Sequence, residues 1–172
     1  VLMSVPYLRV ANVQRGYLDL REMKEIVATR EEVADLALQP GDVLFNEGGD
    51  RDKLGRGWVW RGELPLCIHQ NHVFRARIRH GVLDPRFLSW YGNTFGQEYF
   101  TKHGKQTTNL ASINMTMLGS LTVHVPPLAE QQRIVAEIER RLSVVDELER
   151  RVEKNLTRAA KLRQAILKRA FE

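Results

Sequence analysis

A chain of 172 residues with 43% apolar side chains can hold one globular domain and an extension. No run approaches the roughly 20 apolar residues of a membrane-crossing helix, and Val1-Leu2-Met3 is too short for a signal peptide. With Cys67 as the single cysteine, which excludes an internal disulfide, a cytoplasmic protein is expected. The net charge of +5 is spread along the chain without a lysine run, so it permits nucleic-acid contact without requiring it.

In chain order, residues 7–10 read as a strand that runs into the polar turn Asn12-Val13-Gln14-Arg15-Gly16. Residues 30–38 read as a short helix, and Pro40-Gly41-Asp42 as a turn feeding a strand over 43–45. Four glycines and one apolar residue in 46–57 predict an exposed, mobile loop. Further strands are expected over 58–60 and 71–78, the second from its alternation of side chains. Asp84-Pro85 is a helix start, an N-cap followed by proline at the first helical position. That helix should run to His103-Gly104, with Phe87, Leu88, Tyr91, Phe95, Tyr99 and Phe100 as a core stripe. Gly92 and Gly96 would let another backbone approach it. Residues 121–125 read as a last strand, and the domain boundary falls at Val125-Pro126.

From Leu128 to Glu172 there is no glycine and no proline, and strong helix formers fill nearly every position. A helix of that length would be about 65 Å long, more than a small domain needs to cover its core. Ile138, Val145, Val152, Ala159 and Ile166 recur every seven residues. Val135, Leu142, Leu156 and Ala170 flank this row on one side, interrupted by Glu149 and Arg163. Ile134, Leu148 and Leu162 flank it on the other, interrupted by Arg141, Asn155 and Arg169. The stripe predicts pairing with another helix, its interrupting charges fixing the register.

Enzyme signatures are scarce. Cys67, His69 and His72 lack a fourth ligand at zinc spacing, so a core cysteine beside two surface histidines is expected. No Gly-Lys-Ser/Thr follows the glycine pairs, and Asp50 and Asp52 have no evident partner. Pro126-Pro127-Leu128 does not match an amino-methyltransferase Asn/Asp-Pro-Pro-aromatic motif. Donor-rich segments are more informative. Lys102, Lys105, Gln106, Thr107, Thr108 and Asn109 follow a helix end, Arg51, Lys53 and Arg56 lie in the glycine-rich segment, and Asn12, Gln14 and Arg15 form the first turn. These groups suit phosphates and base edges, or else cap a helix and face water.

Taken in order, several segments resemble the specificity subunit of type I restriction–modification systems. They are Pro6-Tyr7-Leu8-Arg9-Val10-Ala11-Asn12-Val13, Leu38-Gln39-Pro40-Gly41-Asp42-Val43-Leu44-Phe45 and Thr107-Thr108-Asn109-Leu110-Ala111-Ser112-Ile113. Most specific are Val125-Pro126-Pro127-Leu128-Ala129-Glu130-Gln131-Gln132-Arg133-Ile134-Val135 and the helix end Leu162-Arg163-Gln164-Ala165-Ile166-Leu167-Lys168-Arg169-Ala170-Phe171. The resemblance implies an α+β architecture, a mixed α/β target recognition domain over 1–125 and a long coiled-coil spacer helix over 126–172. It implies double-stranded DNA as ligand, with one half of a split sequence read here. The helix would dock methyltransferase subunits and meet a second recognition half or a second copy, through Ile138, Leu142, Val145, Leu148, Val152, Leu156, Ala159, Leu162 and Ile166.

On this resemblance the chain is not catalytic and binds no cofactor or metal. S-adenosylmethionine, ATP and magnesium belong to the methyltransferase and restriction subunits. Lys102, Lys105, Arg51 and Arg56 would hold phosphates, and Gln106, Asn109, Asn12 and Arg15 would meet base edges. One recognition domain and one helix, where the family has two of each, imply a half-subunit or a piece of a longer protein. The opening strand, helix and polar loop that usually precede the Tyr7 strand are also missing. The alternative is a coiled-coil scaffold that does not bind DNA.

Overall fold

The computed structural model describes residues 1–49, 53–79, 81–106 and 111–171. The chain divides into two units, Val1–Gln132 and Arg133–Glu172. The first contains β1 (Leu2–Leu8), β2 (Lys24–Thr29), α1 (Arg30–Leu36), β3 (Val43–Asn46), β4 (Gly48–Gly49), β5 (Gly57–Val59), β6 (Ile68–His69) and β7 (Val73–Ala76). There follow α2 (Pro85–Tyr91), a π-turn (Gly92–Gly96), α3 (Gln97–His103), β8 (Lys105–Gln106), β9 (Ala111–Ser112), α4 (Met115–Gly119) and the start of α5 (Leu128–Ala170). The observed class is mixed α/β with a long C-terminal helix, as expected.

The strands form three small sheets, ordered β2-β1-β6, β5-β3-β7 and β4-β9-β8. In the first, β1 runs antiparallel to β2 and parallel to β6. Thr29 ends β2 and caps α1 at once: its hydroxyl accepts from the Glu32 N–H, and the Glu32 carboxylate accepts from the Thr29 N–H. This chain reversal closes a core of Val5, Ala28, Val33 and Ile68.

Strand β3 is buried on both faces, which is why it reads as an unbroken apolar run. Val43 and Phe45 point into a core with Leu54, Val59, Phe74, Phe100 and Ile113. Leu44 points the other way, to Leu8, Val13, Trp60, Cys67 and Val73.

Several expected elements differ in the structure. The first strand lies at Leu2–Leu8 and not over 7–10, because the Asn12 side chain already folds the chain back after Leu8: its Oδ1 accepts from the Arg9 N–H at 2.9 Å. The described part of 46–57 is not an exposed loop. Asn46 is fully buried, Leu54 enters the core and Gly48–Gly49 forms a strand. The glycines there permit close approach: a Cβ on Gly48 would lie 2.8 Å from the Ala111 carbonyl oxygen. Residues 121–125 carry no strand, because no neighbouring strand pairs with them among the described residues.

The helix opened by Asp84 is real, the Asp84 carboxylate accepting from the Arg86 N–H at 2.8 Å. It is interrupted by the π-turn, whose wider winding leaves Phe95 exposed and outside the expected core stripe. Gly92 makes room for a side chain rather than a backbone, since a Cβ there would lie 2.5 Å from the Phe45 ring.

The first turn of α5 belongs to the globular unit because of Gln131, which is fully buried. Its Oε1 accepts from the Asp84 N–H at 2.8 Å, and its Nε2 donates to Val82 O at 3.0 Å and Pro126 O at 2.8 Å. Three backbone groups that lack sheet or helix partners are thereby satisfied by one amide.

In the second unit, Glu137 bonds Arg140 and Arg141, and Glu147 pairs with Arg150 and Arg151, at helical spacing. The two guanidinium groups hold the Glu137 carboxyl down from the ordinary 4.5 to about 2. Because the folded value is the lower one, this contribution to helix stability is present above about pH 4.5 and fades towards pH 2. Circular dichroism melts across that range should show acid destabilisation that is smaller in Glu137→Gln. The pairs are exposed, so the effect is also expected to shrink in high salt.

Candidate nucleic-acid interface

The three donor-rich segments of the sequence are drawn together in the globular unit. Gly48 and Gly49 pair with Ser112 and Ala111, which pair in turn with Lys105 and Gln106. Two segments nearly sixty residues apart thus form one antiparallel sheet. Adjacent strands lie about 4.8 Å apart, so Lys105 and Gly48 flank Ser112 at roughly 10 Å from each other.

The third segment is tied in by Asn46. Its amide donates to Val10 O at 3.1 Å and Val13 O at 2.8 Å, and Arg56 also donates to Val10 O. Between these segments lies a cleft of about 580 Å³, lined by Val10, Glu47, Gly48, Gln70, His72 and Ser112 among others.

Asn93 of the π-turn sets the position of the same face from behind. Its side chain donates to Gly57 O at 2.7 Å and accepts from the Gly57 N–H at 3.0 Å, while its carbonyl accepts from the Arg15 guanidinium. A buried asparagine satisfied in this way fixes the edge of β5 and the first turn together.

The individual candidates separate into two groups. Lys102 and Lys105 are exposed, and Lys53 is half-buried with its side chain beside Gly49. Asn12, expected at a base edge, is buried. Its Oδ1 accepts from the Arg9 N–H, and its amide donates to Asp19 O and Glu22 O, so no donor or acceptor is offered outward. Gln14 donates to Ala11 O, and Arg15 is engaged by Asn93 and Gln97. Asn12 thus builds the turn from inside, which corrects its expected role, while Gln14 and Arg15 brace the turn and are half-buried. Arg56 likewise braces Val10. Gln106 lies in β8, and Arg51, Thr107, Thr108 and Asn109 lie outside the described residues.

No group of residues suited to holding a metal ion occurs among the described residues. Cys67 is buried, with its thiol pushed up to about 12 by desolvation, so it stays protonated and inert at neutral pH. His72 is exposed, as expected, but His69 is half-buried, and desolvation lowers its pKa. Glu47 and His72 are hydrogen-bonded in the cleft wall, a contact that sequence distance conceals. No described helix is long and apolar enough to cross a membrane.

On the second unit, the expected pairing seam is on the surface. Leu142, Val145, Leu148, Val152, Leu156, Ala159, Leu162 and Ile166 are exposed, and Ile138 is half-buried. An exposed apolar row of this length is the kind of surface that partner helices cover.

No protein-family model matches the chain. It is 27% identical over 168 residues, 96% of its length, to the EcoKI type I restriction enzyme specificity subunit of Escherichia coli. It is 26% identical over 170 residues, 98% of its length, to the StySPI specificity subunit of Salmonella potsdam. The chain spans 36% and 37% of those two curated relatives, little more than a third of each. Among solved structures, the HsdS subunit from Thermoanaerobacter tengcongensis has a TM-score of 0.63 at 20% identity, covering 86% of this chain and 38% of that one. The resemblance seen in the ordered motifs therefore extends along almost the whole chain, and the fold is shared.

Proposed function

We propose that this chain, similar to type I specificity subunits, is a DNA-reading half of such a subunit. The globular unit reads one half of a split duplex sequence, and α5 pairs antiparallel with a counterpart helix and docks methyltransferase subunits. The similarity along nearly the full length carries this reading. The convergence of the candidate segments around one cleft supports it.

On this reading Lys102, Lys105 and Lys53 hold phosphates, and Gln106 meets a base edge. The braces Arg15, Arg56 and Asn12 act behind them, keeping the segments in register. Phosphate contacts would set orientation and base contacts the sequence. The chain itself is not catalytic on this reading. Methyl transfer from S-adenosylmethionine, and any ATP- and magnesium-dependent cleavage, belong to its partners. The length of α5, about 65 Å for its 43 residues, would set the spacing between two half-sites.

Co-expression with the cognate methyltransferase subunit, followed by mapping of methylated adenines, tests the proposal. Exchanging residues 1–125 for those of a relative should change one half of the methylated sequence and leave the other half and the spacing intact. An unchanged methylated sequence refutes DNA reading by this domain and leaves a scaffold role.

A further inference from the structure

Glu47 is the cleft residue that sequence reading passes over. Its backbone is clamped from both sides: its N–H donates to His72 O at 2.9 Å, and its carbonyl accepts from the Ile113 N–H at 2.8 Å. It therefore sits at the joint between the β5-β3-β7 and β4-β9-β8 sheets, on rigid backbone rather than at a loop tip. The turn opposite is equally fixed, with Gln70 N–H donating to Leu8 O and Val73 N–H to Gln70 O, both at 2.9 Å. His72 Nδ1 engages Oε2 of Glu47, which orients the carboxylate. Among the described residues Oε1 takes no other hydrogen bond, and the side chain is 30% exposed along the cleft wall.

A carboxylate is an acceptor without donors, and phosphates repel it. The groups on duplex DNA that it can favourably meet are exocyclic amines, cytosine N4 above all and adenine N6 in the major groove. Its charge would oppose binding at every other position, so it rewards one base and penalises the rest. Beside lysines that suit phosphates, a carboxylate held this firmly is suited to discrimination rather than affinity.

We infer that Glu47, positioned by His72, is a specificity-determining residue that accepts a hydrogen bond from the amino group of a cytosine or adenine in the half-site. This inference rests on the proposed function and deepens it. The test is selection from a randomised duplex library by the full 172-residue chain in complex with its methyltransferase subunit, comparing wild type, Glu47→Gln and Glu47→Ala. Melting temperatures identify the variants that fold, and the isosteric glutamine serves if the alanine variant does not.

Wild type should prefer cytosine or adenine at one position by roughly 10- to 100-fold, the range of one good base contact. Glu47→Ala should lose that preference at that position alone, and Glu47→Gln should weaken or redirect it. Preferences unchanged at every position, or lost evenly at all of them, overturn the role of Glu47 and leave the proposed function standing. A wild-type complex that selects no sequence overturns both.

Discussion

Replacing Gly57 with alanine is expected to unfold the globular unit. A Cβ at this position would lie 1.8 Å from the Leu44 carbonyl oxygen and 2.9 Å from its carbon. Both atoms belong to the backbone of β3, which is buried on both faces and cannot yield as a flexible side chain would. Relief would require β5 to leave β3, breaking the pairing of Phe45 with Gly57 and both bonds to Asn93. A loss of about 4 kcal/mol or more follows, against a total stability of about 5–15 kcal/mol for a domain. Thermal melts should show the midpoint falling by about 10 °C or more, or no soluble folded protein. Gly119→Ala is the matched control: nothing lies within 4 Å of a Cβ there, and its position at the end of α4 makes the change close to neutral. A Gly57→Ala variant that melts like the control would contradict the packing described for β3.

The second large effect concerns association rather than folding. Val145 and Val152 are 46% and 56% exposed on the single chain, so aspartate at both should shift its own melting temperature only slightly. If α5 meets a counterpart helix as proposed, the same substitutions bury two unpaired charges in the seam, at several kcal/mol each. Helix pairing should weaken by more than about a thousandfold, since each 1.4 kcal/mol is a factor of ten. Light scattering over a range of concentrations reports self-pairing, and capture by the second recognition half reports pairing with another chain. Wild-type behaviour of the double variant in both assays would remove this row from the interface.

Local signals identified the elements whose determinants are local. Asp84-Pro85 marks a cap and a helix start, Val43-Leu44-Phe45 marks a strand buried on both faces, and the stretch after Leu128 lacks any helix breaker. The misses have the opposite character. Strand β4 is two residues long and pairs with β9 about sixty residues away, so no window of sequence contains its cause, while β8 and β9 are two-residue arms too short to show an alternation. Strand β2 escaped because both its charged Lys24-Glu25 start and its exposed Ile26 and Val27 lack the alternation of a half-buried strand. Residues 121–125 have strand composition but no neighbouring strand among the described residues, as expected if β propensity follows pairing rather than creating it.

At the candidate site, residue type alone misassigned Asn12. Asparagine satisfies buried backbone groups as readily as it reads bases, and here it does the former. Gln131 is the converse case. It lies inside the motif most specific to the resemblance, and its function there is to bond three backbone groups at the base of α5.

The ladder that joins Gly48 to Ser112 and Lys105 also constrains how such a chain can diversify. A hybrid spliced between two relatives with its crossover anywhere from residue 50 to 104 would take one side of this ladder from each parent. Both parents would then have to share not only the residues but also the count of amino acids on either side. A one-residue insertion in either arm would turn every side chain beyond it to the opposite face. Successful shuffling should therefore favour joints outside this interval, exchanging both arms as a single cassette.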